Sequence, residues 1–166
     1  QRQQVGKQYL AWAAAVPEPA EDTIEVPLAR ARKSKMRPAA PGEPRALAAR
    51  TDYALEATGS WHGAPVARLR CRPRSGRQHQ IRVHLRAIGC PILRDALYGL
   101  ATFKPPFEDL PLGRLALHAA VLELPRIGAV PATRIEAPLP EDLVALDRTL
   151  FQAMSTCQKP LVRKGR

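Results

Sequence analysis

The stretch "APVARLRCRPRSGRQHQIRVHLRAIG", residues 64–89, carries two periodicities in succession. In its first part Ala67, Leu69 and Cys71 alternate with Arg68, Arg70 and Arg72. A period of two is that of a β-strand, with the apolar side chains on one face and the arginines on the other. "PRSG" reads as a turn. After it, Ile81, Leu85 and Ile88 fall at i, i+4 and i+7, the spacing of one helix face. Gly89 stands where a C-terminal glycine cap belongs. On that helix Gln78, Arg82 and Arg86 form a row beside the apolar stripe. A strand, a glycine turn and a helix start thus aim basic side chains and backbone N–H groups at one spot, an arrangement suited to a phosphate.

Working outward, "KQYLAWAAAV" (7–16) is apolar and reads as a strand or a short helix, ended by Pro17 and Pro19. "DTIEVPLARA" reads as a short strand followed by a break. Residues 30–50 hold Arg30, Arg32, Lys33, Lys35, Arg37, Arg45 and Arg50 against one acid, Glu43, with several prolines and no apolar period. They read as a mobile basic loop. "ARTDYALEAT" and "APVARLRCRP" read as two strands joined through "GSWHG", and "PILRDALYG" as a compact loop. "RLALHAAVLEL" (114–124) alternates as a strand, and "PRIGAVPATRIEAPLP" gives a turn and a returning strand. Asp142 is placed to cap a final helix with apolar positions Leu143, Leu146, Leu150, Phe151 and Met154. Residues 158–166 read as a disordered basic tail after a domain spanning 1–157.

The chain's 166 residues suit one domain, and its net charge of +11 with a pI near 10.4 points to a polyanionic partner, most often nucleic acid. A merely solvated basic face is the bland alternative. Most of the Lys and Arg residues sit in 30–50, 68–86 and 158–166. Arginine dominates two of these segments, which favours planar contact with phosphates and bases. Three cysteines (Cys71, Cys90, Cys157) with no CxxC spacing argue against a disulfide framework or a zinc site and fit a reducing, cytoplasmic setting. His79 and His84, five apart, do not share a face as metal ligands would. No phosphate-binding glycine loop of the GxxxxGK[ST] or GxGxxG kind is present. No stretch reaches the roughly 18 apolar residues of a membrane span. There is no initiator Met, so the expectation is a processed, truncated or partly represented chain. Arg82, at the edge of an amphipathic helix, needs an anion. Spacing alone leaves open whether that anion is a carboxylate of the protein or a substrate phosphate.

"SGRQHQIRVHLRAIGCPILRDALYG" (75–99) resembles the GRxHQIRxHxxxxGxPxxxDxxYG signature of the RluA-type pseudouridine synthases. "KQYLA" (7–11) is similar to that family's K-x-Y-x-A segment, and "RLALHA" (114–119) to its R-x-x-LHA segment, in the same order. The resemblance implies an α+β fold built on a mixed, largely antiparallel sheet with flanking helices. It also implies a cofactor-free isomerase acting on uridine in ribosomal or transfer RNA. Carried over residue by residue, Tyr9 packs against the target base, Leu117 lines the pocket, and Arg82 pairs with a nucleophilic aspartate from an HRLDxxTSG motif. That motif does not occur before Tyr9, so the chain is expected to be the C-terminal part of a catalytic domain, binding RNA without turnover on its own. The alternative is a non-catalytic RNA-binding module on the same scaffold. "ALDRTLFQAM" (145–154) echoes the motif only superficially, and Asp147 is not expected to be the nucleophile; Asp95 matches a loop aspartate. Arg94 stands where the family usually has Gly. The side chains expected to contact RNA are Arg68, Arg70, Arg72, Arg74, Arg77, His79 and Arg86. Arg82 should share a pocket with Tyr9 and Leu117.

Overall fold

The computed structural model describes residues 5–151. The tail 158–166, Cys157 and Met154 lie outside them. Along the chain run β1 (Gly6–Ala13), β2 (Glu21–Ile24), β3 (Leu28–Arg30), β4 (Met36–Pro38), β5 (Thr51–Trp61), β6 (Ala64–Pro73), α1 (Gln80–Ala87), β7 (Leu117–Leu124), β8 (Thr133–Glu136) and α2 (Glu141–Phe151). Six strands form one sheet in the order β2-β5-β6-β1-β7-β8, and β3 pairs with β4. This is the expected α+β fold; every ladder among the described strands is antiparallel.

The β5–β6 hairpin turns on His62 and Gly63, with φ of 46° and 81°. Two consecutive left-handed residues give the tight turn whose twist matches that of the strands it joins. The alternation read in the sequence holds on β6: Ala67, Leu69 and Cys71 are fully buried while Arg68, Arg70 and Arg72 point the other way. Register then decides which face is which. Tyr9 pairs with Cys71 and Tyr53 also pairs with Cys71, whereas Leu10 pairs with Arg70 and Trp12 with Arg68. Directly opposed residues share a face, so Tyr9 lies on the face away from the arginine row.

Helix α1 covers the Tyr9 face, packing Ile81 and Leu85 into the core. It ends, as expected, at Gly89, whose φ of 76° is the left-handed cap conformation. Ile88 departs from the expected stripe and is exposed; Gln80, Val83 and His84 are buried instead. The shorter helix ends before Ile88 can turn inward. Helix α2 covers the opposite face with Leu143, Leu146 and Leu150 buried. Its first backbone bonds go to the Pro140 carbonyl, so Asp142 sits in the first turn and pairs with Arg114 instead of capping the helix. There it still favours the helix N-terminus as an anion.

The 30–50 segment is not the unpacked loop that its composition suggested. β3 and β4 form a small hairpin, and Leu28 also bridges to Leu47. Leu28, Met36 and Ala49 join Val83 and Tyr98 in a second buried cluster. Arg37 holds Glu43 through two hydrogen bonds of 2.8 and 2.7 Å across the segment. Three apolar side chains, spaced without helical or strand period, anchor a segment whose basic residues are mostly exposed. The far edge of the sheet is β8, all four residues of which are exposed. Among the described residues no helix is long and apolar enough to cross a membrane.

Candidate functional site

The sharp turn from β6 into α1 is organised by Gln80, a buried side chain that sequence reasoning left without a role. Its Oε1 accepts from Ser75 Oγ (2.8 Å) and from the Arg77 amide (3.1 Å). Its Nε2 donates to the Arg50 carbonyl and to Thr51 Oγ1, both at 2.9 Å. Every polar atom of the amide is thereby satisfied, and the turn is fixed to the start of β5. Thr51 also contacts buried His84: His84 Nδ1 lies 2.9 Å from Thr51 Oγ1, and Nε2 lies 2.9 Å from the Val26 carbonyl. Burial pushes His84 below its ordinary value, with the Val26 carbonyl opposing. It is a structural neutral imidazole, and no His/Cys/Asp/Glu cluster able to hold a metal occurs among the described residues.

This turn forms one wall of a cavity of about 360 Å³. β1 contributes Tyr9 and Lys7, the lead-in to β7 contributes Leu115, the first residue of β7 contributes Leu117, and the turn and α1 contribute His79, Ile81 and Arg82. Tyr9, Arg82 and Leu117 therefore line one space, although more than thirty positions separate each from the next in the chain.

Arg82 has a partner that the sequence reading did not assign. Its Nε and Nη2 donate to the two oxygens of Asp95 at 2.8 and 2.6 Å. The Asp95 side chain is 1% exposed and that of Arg82 15%. Oδ1 of Asp95 also accepts from the amides of Leu97 and Tyr98, at 2.9 and 3.0 Å. Burial alone would raise the Asp95 carboxyl, but Arg82 and these amides outweigh it and hold it below the ordinary range. The hydrogen bonds to Asp95 in turn raise Arg82. A loop aspartate thirteen positions on thus supplies one carboxylate to Arg82 through Nε and Nη2. Nη1 of Arg82 has no partner among the described residues. The guanidinium also lies over the Tyr98 ring, 4.9 Å from its centroid.

Arg94, in the same loop, takes a φ of 56°. The left-handed geometry that Gly would adopt freely is imposed here on an arginine. Its guanidinium compensates by donating to the carbonyls of Glu108 and Leu110 and by lying over Phe103.

The arginine row on β6 is largely engaged. Arg68 pairs with Glu56 and with Asp147, and Arg70 with Glu56. Asp147 also accepts from Trp12 Nε1 at 2.9 Å, which makes it a structural clamp between α2 and the sheet. Arg74 pairs with Asp52, Arg72 donates to Gln8, and Arg77 donates to the Ala48 carbonyl. Arg86 is exposed and without a protein partner among the described residues. Sequence alternation showed which residues share a face. It could not show that α2 and its acids would cover that face.

Comparison with known proteins matches this architecture. A family model described as RNA pseudouridylate synthase matches residues 1–87, more than half of the chain. The chain belongs to the RNA pseudouridylate synthase family. Its relatives place it in the RluA type. It is 41% identical over 104 residues to RNA pseudouridylate synthase domain-containing protein 1 of Mus musculus, covering 62% of this chain and 31% of that protein. It is 39% identical over 134 residues to an uncharacterized RNA pseudouridine synthase of Chloroflexus aurantiacus, covering 80% and 38%. It is 44% identical over 77 residues to ribosomal large subunit pseudouridine synthase C of Escherichia coli, covering 45% and 24%. The solved structure of human RNA pseudouridylate synthase domain containing 1 superposes with a TM-score of 0.71 at 27% identity, covering 89% of this chain and 59% of that one. The chain spans between about a quarter and two fifths of the length of these curated relatives. Within this synthase domain, Asp95, Tyr98 and Gln80 all belong to the quoted signature, but their roles emerge only when α1 meets the loop behind it.

Proposed function

We propose that the protein to which these residues belong isomerises uridine to pseudouridine in structured RNA, ribosomal or transfer, and that the Arg82 cavity receives the uracil. The observation that carries this reading is the convergence of Tyr9, Arg82 and Leu117 on one space. Tyr9 offers an aromatic face to a base drawn from its stack, Leu117 and Ile81 offer apolar contact, and Lys7 and Arg77 offer cations to the flanking backbone. The reaction breaks the bond between N1 of the base and C1′ of the sugar and forms one between C5 and C1′. The C5 proton is lost and N1 gains one, so atoms balance without any cofactor.

The family's chemistry needs an ionised carboxylate facing that space. None of the described side chains lining the cavity is acidic, and both oxygens of Asp95 are engaged. Nη1 of Arg82 is the group suited to hold a second carboxylate in its ionised form. We therefore assign the nucleophile to no described residue and expect the 166-residue chain to bind RNA without turnover.

Mass-spectrometric mapping of pseudouridine in RNA from cells lacking the gene tests the reading. At least one uridine should stay unmodified, and be restored by the full-length protein but not by its Arg82→Ala variant. RNA binding by that variant should persist. An unchanged pseudouridine map would overturn the proposal, and turnover by the isolated chain would overturn the assignment of the nucleophile.

A further inference from the structure

Among the described lining residues, His79 alone is held both by a side chain outside the cavity wall and by a strained backbone. It occupies the N-terminal boundary of α1 with a φ of 53° and caps nothing with its side chain. A left-handed histidine at a ligand-facing position is the kind of local strain that persists when the surroundings fix it for a purpose. Its ring is turned so that Nδ1 lies 2.8 Å from the phenol oxygen of Tyr98, 72° from coplanarity with that ring.

The phenol decides where the imidazole proton sits. Tyr98 is buried, and its oxygen already accepts from the Met36 amide at 2.8 Å. If His79 Nδ1 also donated to it, the phenol proton would have no acceptor among the described residues. Buried hydroxyls do not leave that proton unused. The phenol therefore donates to Nδ1, and the imidazole carries its proton on Nε2, the ring nitrogen without a protein partner among the described residues. The charged and titratable groups around the ring are Arg82 and Asp95, paired to each other, with Arg77 and Lys7 on the same cavity. Burial and then the Arg82 cation push His79 below its ordinary value, Asp95 opposing, so the ring is neutral near pH 7.

A locked tautomer matters only to a ligand that distinguishes a donor from an acceptor. A free imidazole could present either at Nε2. One fixed by Tyr98 presents only N–H. Cytosine differs from uracil by an amino group where uracil has a carbonyl. Accordingly, and resting on the reading of the cavity as a uracil site, we infer that His79 Nε2–H, held by Tyr98, donates to the uracil carbonyl that cytosine lacks, making the pair the site's discriminator of uridine from cytidine. His79 is the contact and Tyr98 the positioning residue. Because Tyr98 also takes the Met36 amide, the discriminator is tied to the β3–β4 hairpin of the basic segment.

The test is heteronuclear NMR on the chain with ¹⁵N-labelled histidine, titrated with uridine monophosphate, cytidine monophosphate and inorganic phosphate at equal concentration. In the free chain, Nε2 of His79 should bear the proton and Nδ1 none. Uridine monophosphate should move the Nε2–H signal, phosphate should not, and cytidine monophosphate should bind about tenfold more weakly or worse, as a donor facing a donor requires. Tyr98→Phe should mix the tautomers and narrow the difference between the two nucleotides. His79→Gln, whose amide can present either group, should lose the preference between the two nucleotides. A proton on Nδ1, an equal response to phosphate, equal affinity for the two nucleotides, or no response to uridine monophosphate would each overturn the inference. If the preference is present but no pseudouridine site depends on the gene, the enzymatic reading fails and the discriminator stands.

Discussion

Asp95→Asn is the substitution whose cost the geometry states most directly. The change keeps size and shape, and the new Oδ1 can still accept from the Leu97 and Tyr98 amides. The second oxygen becomes an NH2 group facing Arg82 Nε, which now lies 2.8 Å from its acceptor. A guanidinium whose side chain is only 15% exposed then loses its counter-charge and meets a donor. Removing one partner of a buried ion pair costs about 3–5 kcal/mol, and the residual exposure of Arg82 argues for the lower end, about 3 kcal/mol. At about 2–4 °C per kcal/mol for a domain of this size, the melting temperature should fall by roughly 6–12 °C. Urea denaturation of the wild type, Asp95→Asn, Arg82→Met and the double variant gives the coupling. The double variant should be more stable than the sum of the single losses implies, by about 2 kcal/mol, since neither charge is then stranded. Additive losses, or a cost for Asp95→Asn below about 1 kcal/mol, would show that the pair does not hold this loop, and the reasoning on Arg82 would fall with it.

Buried neutral His84 makes folding depend on pH. Its value is lowered on folding from 6.5, so below that pH the unfolded chain binds a proton that the folded chain refuses, and stability falls toward acid. The loss should reach at most about 1.4 kcal/mol per pH unit from this group, starting near 6.5 and absent in a His84→Gln variant that still folds; denaturation between pH 5 and 8 measures it. At Arg94 the left-handed backbone and the side-chain contacts oppose each other. Arg94→Ala should therefore be less stable than Arg94→Gly by about 1 kcal/mol, the strain that Gly escapes, and equal stabilities would refute the assignment. For RNA binding, Arg86→Ala should reduce the slope of log affinity against log salt by about one, whereas Arg68→Ala, whose guanidinium is already matched by Glu56 and Asp147, should leave it unchanged. Cys71, pushed up to about 12 by burial, should resist thiol reagents in the folded chain and react only on unfolding.

What could be read from the sequence was the local part. The alternation of Ala67, Leu69 and Cys71 with three arginines needs only the two-residue period of a strand, and the spacing of Ile81 and Leu85 only that of a helix. The shared space of Tyr9, Arg82 and Leu117 came from the ordered marks of a family, since no local pattern links them. Three features escaped because they depend on contacts between distant segments. The sidedness of the arginine row rests on the register of Arg70 against Leu10. The packing of residues 30–50 rests on Met36 meeting Tyr98, 62 positions away. The partner of Arg82 rests on a loop folding back behind α1, and spacing alone left a carboxylate and a phosphate equally open.

The placement of α2 gives the molecule a front and a back. The exposed turn at Gly76 borders the cavity, while exposed Arg148 sits on the helix that seals the opposite face. A fluorophore at the first position should sense an occupant and one at the second should stay silent. For the same reason, tethering the protein to a sensor through α2 leaves its working side turned toward solution.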